Sequence, residues 1–233
     1  MEKYIIFVLL WIAVVSNSGA QSKTTTVSKK EYTMLCLGDS YTIGEAVSET
    51  ERFPNQTIAL LAKQGHAFAS PHIIAKTGWT TDELKQAIAD EKLTGTYDYV
   101  TLLIGVNNQY RDYEIATYRK EFKELLATAI GYAHGNTASV FVLSIPDWGA
   151  TPFGANDAKK RSPALISAAI NSYNAISKEE CLKQKVHYIN ITPISRKTPA
   201  DGALLTNDNL HPSGKMYHEW AVLLAKEITP VLK

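Results

Sequence analysis

Short runs of consecutive apolar residues alternate along this chain with longer segments in which apolar residues recur every three or four positions. The short runs predict buried strands, because a strand covered on both faces has no polar side. They fall at residues 32–37, 72–75, 97–104, 139–145 and 186–191. Gly38, Gly105 and Pro146 stop the first, third and fourth. The longer segments predict amphipathic helices at residues 53–64, 81–91, 113–132, 162–183 and 212–231. Local chemistry agrees with these limits. Gly65 follows the first helix, Thr81-Asp82-Glu83 opens the second as a capped start, and Pro163 lies near the first turn of the fourth. Alternation of strand and helix predicts one parallel sheet with helices on both faces, a three-layer α/β/α sandwich. Sites in such sheets form beyond the carboxyl ends of the strands, so chemistry is expected just after the apolar runs.

The first thirty residues follow a different pattern. Glu2 and Lys3 precede an apolar run at residues 4–15, and small or polar residues follow up to Ala20. A charged start, a short apolar core and a small-residue end predict a signal peptide at residues 1–20, cleaved after Ala20. The apolar run is short for a membrane span, so no stable membrane insertion is expected after cleavage. An uncleaved anchor is the competing reading. Residues 21–30 read as a polar leader, and residues 31–233 as one domain. The expected location is secreted or periplasmic.

Composition narrows the class. The chain has 233 residues, of which 45% are hydrophobic and 20% charged, a globular balance rather than a disordered one. Net charge is +1, without the clustered basic excess of a nucleic-acid binder, and no nucleic-acid partner is expected. Lys159, Lys160 and Arg161 form one short basic run, which a solvated loop accounts for. Cys36 and Cys181 are the two cysteines, too few for a disulfide scaffold. Cys36 lies within an apolar run, which favours buried free thiols over a pair. His66, His72, His134, His187 and His218 show no metal-ligand spacing. Asn55 and Asn190 match the glycosylation acceptor pattern, a frequent chance match.

Polar motifs stand where the sheet rule asks for them. The first strand runs into Gly38-Asp39-Ser40, the second is followed by Gly78, the third by Gly105-Val106-Asn107-Asn108, and the last, after a loop, by Asp208-Asn209-Leu210-His211. Each has an ordinary reading alone. Ser40 is a good helix cap, Gly78 a strand stop, Asn107 a turn residue and His211 a surface or capping histidine. Together and in this order they resemble the four sequence blocks of the SGNH, or GDSL-like, hydrolase family. The chain departs from that family's usual pattern at Asn108, where Asp is common. That departure bears on how the Asn107 loop is braced.

The resemblance implies a flavodoxin-like SGNH hydrolase fold and a serine esterase with Ser40 as nucleophile, His211 as base and Asp208 as the acid that orients His211. It assigns the oxyanion hole to the backbone N–H of Ser40, the backbone N–H of Gly78 and the side-chain amide of Asn107. The chemistry needs these groups: a serine hydroxyl is a poor nucleophile without a base, and the charge built on the ester oxygen needs preorganised donors. Asp39 reads as an acceptor that stabilises its turn. Trp79, Tyr110, Trp148 and Phe153 are candidate substrate-binding residues, with loop packing as the even alternative. No metal or organic cofactor is required. The expected partner is a small-molecule or carbohydrate ester, with a slight lean to carbohydrate O-deacetylation. Lipolytic hydrolysis (lysophospholipase or thioesterase type) and a non-catalytic carbohydrate-binding protein on the same fold are the alternatives.

Overall fold

The structure is a computed structural model that describes residues 1–2 and 30–232. The signal-peptide reading therefore falls outside the described residues, as does all of the polar leader before Lys30.

The chain enters through a two-residue strand, β1 (Glu31–Tyr32), and continues into β2 (Met34–Gly38). Helices α1 (Ser40–Ile43) and α2 (Phe53–Lys63) follow, then β3 (Ala67–Phe68), β4 (His72–Ala75) and α3 (Thr81–Glu91). Next come β5 (Tyr99–Leu103), α4 (Val106–Tyr110), α5 (Ile115–Tyr132) and β6 (Val140–Leu143). The last part holds α6 (Pro152–Ala155), α7 (Pro163–Gln184), β7 (His187–Ile189), α8 (Thr192–Ser195) and α9 (Gly214–Ile228).

Five strands form one sheet in the order β4-β2-β5-β6-β7, every neighbouring pair parallel. Helices α2 and α9 pack together as one layer; α3, α5 and α7 pack side by side as another. With a layer on each face, β2, β5 and β6 are buried at every position, which is why their sequences are unbroken apolar runs. The expected sandwich and its flavodoxin-like strand order are present. Strand β1 pairs with β3 in a separate two-stranded ribbon. Neither member was legible as a strand of its own, since two residues cannot display a period.

Cys36 lies in β2 and Cys181 in α7; both are free and buried, and burial pushes both thiols up to about 12. Residues near both ends of segment 30–232 meet around Tyr99, at the start of β5. The rings of Tyr32 and Tyr99 lie 5.7 Å apart, and the Tyr99 hydroxyl donates to the Val231 carbonyl at 3.2 Å. Among the described residues, no helix is long and apolar enough to cross a membrane.

Candidate active site

Strand β2 delivers the Gly38-Asp39-Ser40 turn to the carboxyl edge of the sheet. A side chain at Gly38 has no room: its Cβ would stand 2.1 Å from the Thr42 hydroxyl oxygen and 2.5 Å from the Leu103 carbonyl. Asp39 caps α1, its Oδ1 accepting the Tyr41 N–H at 3.0 Å. Ser40 is thus the first residue of a helix, where a backbone N–H has no partner in its own helix. Asp39 is fully buried, and its Oδ2 has no hydrogen-bond partner. Burial pushes this carboxyl up to about 7, against the opposing pull of the Tyr41 N–H.

Gly78 follows β4 in a left-handed conformation, φ +87°, which glycine adopts without steric cost. Asn107 stands in α4, just beyond β5; its Nδ2 donates to the Trp79 carbonyl at 2.9 Å. An Asn amide nitrogen carries two N–H groups, so this bond leaves one for the cleft. Asn108, wholly buried, points the other way. Its Oδ1 accepts the Thr81 N–H at 3.0 Å, and its Nδ2 donates to the Thr81 hydroxyl at 2.6 Å. That hydroxyl donates in turn to Glu121 of α5. The departure from the family's usual Asp is therefore matched by a carboxylate supplied from another helix.

His211 is fixed by its own loop. Its Nδ1 lies 2.6 Å from Asp208 Oδ2, while Asp208 Oδ1 accepts the Leu210 and His211 N–H groups, both at 2.9 Å, and the Thr206 hydroxyl at 2.8 Å. Asn209 takes φ +61° inside this turn, a conformation that Asn tolerates better than most residues. Partial burial raises the Asp208 carboxyl, but the hydrogen bonds from His211, Leu210 and Thr206 outweigh it and hold the group at about 2. An ionised carboxylate only accepts, so Nδ1 carries the imidazole proton and Nε2 is left as an acceptor. The Tyr41 ring sits edge-on to the imidazole, 5.7 Å away.

Ser40, Gly78, Asn107 and His211 line one cleft of about 170 Å³, with Tyr41, Thr77, Val106, Tyr110, Trp148, Phe153 and Leu210 completing its wall. The wall is mostly apolar. Of the four aromatic candidates, Tyr110, Trp148 and Phe153 are part of it, their ring centroids 5.5 to 6.4 Å apart. Trp79 is not. The chain turns at Gly78, so Trp79 offers its carbonyl to Asn107 while its indole packs, partly buried, on the core.

Of the basic run, Lys159 and Lys160 are exposed, as in a solvated loop, but Arg161 is not. Arg161 holds the buried Asp157 through Nε and Nη2, at 2.8 and 3.1 Å, and its guanidinium stacks 5.2 Å from the Tyr110 ring and 5.1 Å from Trp148. Gln109 accepts the Trp148 indole N–H at 2.8 Å. The Phe153 N–H donates to the Asn209 carbonyl at 3.2 Å, joining the aromatic wall to the His211 loop. Sequence reasoning missed Gln109, Asp157 and Arg161; the four-residue spacing of Asp157 and Arg161 was their one visible signal. Among the described residues, no group of three or more His, Cys, Asp or Glu is placed to hold a metal ion.

The Ser40 turn, the Gly78 and Asn107 loops and the Asp208–His211 pair thus line one cleft at the carboxyl edge of the sheet. The chain belongs to the GDSL-like lipase/acylhydrolase family, whose sequence profile matches residues 36–218. No curated protein matches it in sequence. Solved structures share the fold. A lipase/acylhydrolase from Enterococcus faecalis is 22% identical with a TM-score of 0.68, the match covering 87% of this chain and 97% of that one. The psychrotrophic esterase EstA from Pseudoalteromonas sp. is 13% identical with a TM-score of 0.63, covering 86% and 98%. A variant of an acetyl xylan esterase from Geobacillus stearothermophilus is 15% identical with a TM-score of 0.61, covering 86% and 95%.

Proposed function

We propose that this protein is an exported serine esterase that removes small acyl groups from esters, acetyl esters of carbohydrates first among them. The observation that carries the reading is the His211–Asp208 contact, which engages Nδ1 and leaves Nε2 to face a substrate proton in the cleft that Ser40 also lines. Ser40 Oγ bonds to the acyl carbon while His211 Nε2 takes its proton. The carbonyl electron pair moves onto oxygen, where the N–H groups of Ser40 and Gly78 and the free amide hydrogen of Asn107 stabilise it. Collapse expels the alcohol, which receives the proton from His211. Water then attacks the acyl-enzyme by the same proton transfer and releases the acid.

A cleft of about 170 Å³ favours a short acyl group, and the likeness to an acetyl xylan esterase supports a sugar as the alcohol. The apolar wall favours a second reading, lipolytic hydrolysis with longer chains. Hydrolysis of p-nitrophenyl acetate by the mature protein is expected to vanish in a folded S40A variant. Equal rates in both would remove Ser40 from the mechanism. Across acetyl to octanoyl esters, kcat/KM should fall steeply; a flat or rising profile selects the lipolytic reading. The signal-peptide sequence supports export to a secreted or periplasmic site, where the mature chain should start at Gln21.

A further inference from the structure

The segment that carries Gly78 contains no regular structure between β4 and α3, and its central residue is the most flexible type. Yet an oxyanion donor works only if its direction is fixed before the charge appears. Two side chains of the α4 region grip this segment from outside. Asn107 donates to the Trp79 carbonyl at 2.9 Å, and Arg111, four residues later, donates through Nη2 to the Gly78 carbonyl at 2.6 Å. Residues four apart on a helical turn share a face, and the Arg111 N–H closes that turn on the Asn107 carbonyl at 2.9 Å. The two grips therefore act on successive peptides from one rigid base.

The other edge of the Arg111 guanidinium faces Glu83, with Nη1 3.3 and 3.4 Å from the two carboxylate oxygens. Glu83 is itself tied down: its Oε2 accepts the Thr80 N–H at 2.9 Å and the Thr80 hydroxyl at 3.0 Å, closing the cap of α3. As a surface ion pair, Arg111–Glu83 is worth little stability. The short bond to a backbone carbonyl at the edge of the cleft is the contact a purely stabilising pair would not need. A Cβ at Gly78 would stand 3.6 Å from Arg111 Nη2, so the guanidinium packs directly against this residue.

We infer that Arg111, oriented by Glu83, is a positioning residue: it holds the Gly78–Trp79 peptide, whose N–H closes on the Lys76 carbonyl at 3.2 Å, and so fixes the turn from which the Gly78 N–H points at the ester oxygen. The inference rests on the serine-esterase reading, in which Gly78 is an oxyanion donor. Losing such a donor outright costs roughly 100- to 1000-fold in rate, so misaiming it is expected to lower kcat by about 10- to 100-fold. KM should stay nearly constant, since the ground-state ester gains little from the donor.

The test measures kcat and KM on p-nitrophenyl acetate, and the rate of labelling by a fluorophosphonate, for the wild type, S40A, R111A and R111K. The phosphoryl oxygen occupies the same donor site, so labelling of R111A should slow in parallel with kcat. R111K keeps a donor and a charge and should recover part of the loss; it also carries the test should R111A fold poorly. Wild-type kcat in R111A, with S40A inactive, overturns the inference alone. Loss confined to KM does the same. Full activity in S40A overturns the esterase reading and this inference with it.

Discussion

Asn108 shows how much of a site can hang on one amide. Its two polar atoms serve both the N–H and the hydroxyl of Thr81, while the hydroxyl's own proton goes to Glu121. An aspartate at position 108 would offer two acceptors and no donor, leaving two carboxylates competing for one hydroxyl proton. A buried polar group left unpaired costs about 1–3 kcal/mol, or on the order of 2–10 °C in Tm for a domain of this size. N108D should therefore melt earlier, and E121Q added to it should restore part of the loss, because the glutamine amide can donate where Asn108 did. Thermal melts of the two variants decide it; an N108D protein as stable as the wild type removes the network from the account. The positions of Ser40, Gly78 and Asn107 were legible because each follows a readable apolar run, and that of His211 because of its spacing from Asp208. The direction of the Trp79 indole was not, since it depends on the backbone angle at Gly78. Nor was the partial burial of Arg161, which depends on a carboxylate four residues earlier in the loop before α7.

The helices and main strands agree with the hydrophobic pattern to within a few residues, and strand His72–Ala75 and helix Thr81–Glu91 match it at both ends. The strands were read too long at 97–104, 139–145 and 186–191, because the apolar run continues past the last ladder bond into the buried start of the next loop. One such loop, residues 144–162, is the aromatic wall of the cleft. It is held at its start by Asp147, which accepts from Arg196 at 2.8 Å, and at its end by the Arg161–Asp157 fork. Tyr110 and Trp148 both pack against one guanidinium, so removing it takes a contact from both rings at once. R161A is expected to raise KM for p-nitrophenyl acetate several-fold, and to narrow the rate difference between acetyl and longer esters. An unchanged chain-length profile would show that the wall keeps its shape without the arginine.

At the scale of the whole molecule, the pattern announced parallel strands but not their order. That order follows from crossovers: the chain leaves β2 for β4, then returns past β2 to β5. Ser40 and Asn107 thus follow neighbouring strands at the point where the winding reverses, a recurrent place for a site. Stability, too, belongs to the whole chain, and two carboxyls set opposing slopes. Asp208 is held at about 2, so its contribution is complete above its ordinary 3.8 and is lost as pH falls toward 2. Asp39 is pushed from 3.8 up to about 7; across that window the folded state binds the extra proton, and stability falls as pH rises. Melting temperature should therefore decline between those two pH values, and D39N, which keeps an acceptor for the Tyr41 N–H, should flatten the decline. A D39N protein with the wild-type slope would assign that slope elsewhere. The meeting of Tyr32 and Val231 at Tyr99 has a practical side. Tyr99 begins β5 and Asn107 lies beyond its far end, so this meeting point and the cleft occupy opposite poles of the sheet. A support or reporter attached after Val231 starts from the pole away from the mouth, and a short linker from Val231 to Glu31 would allow the described domain to be circularly permuted, with new ends opened in a distant loop.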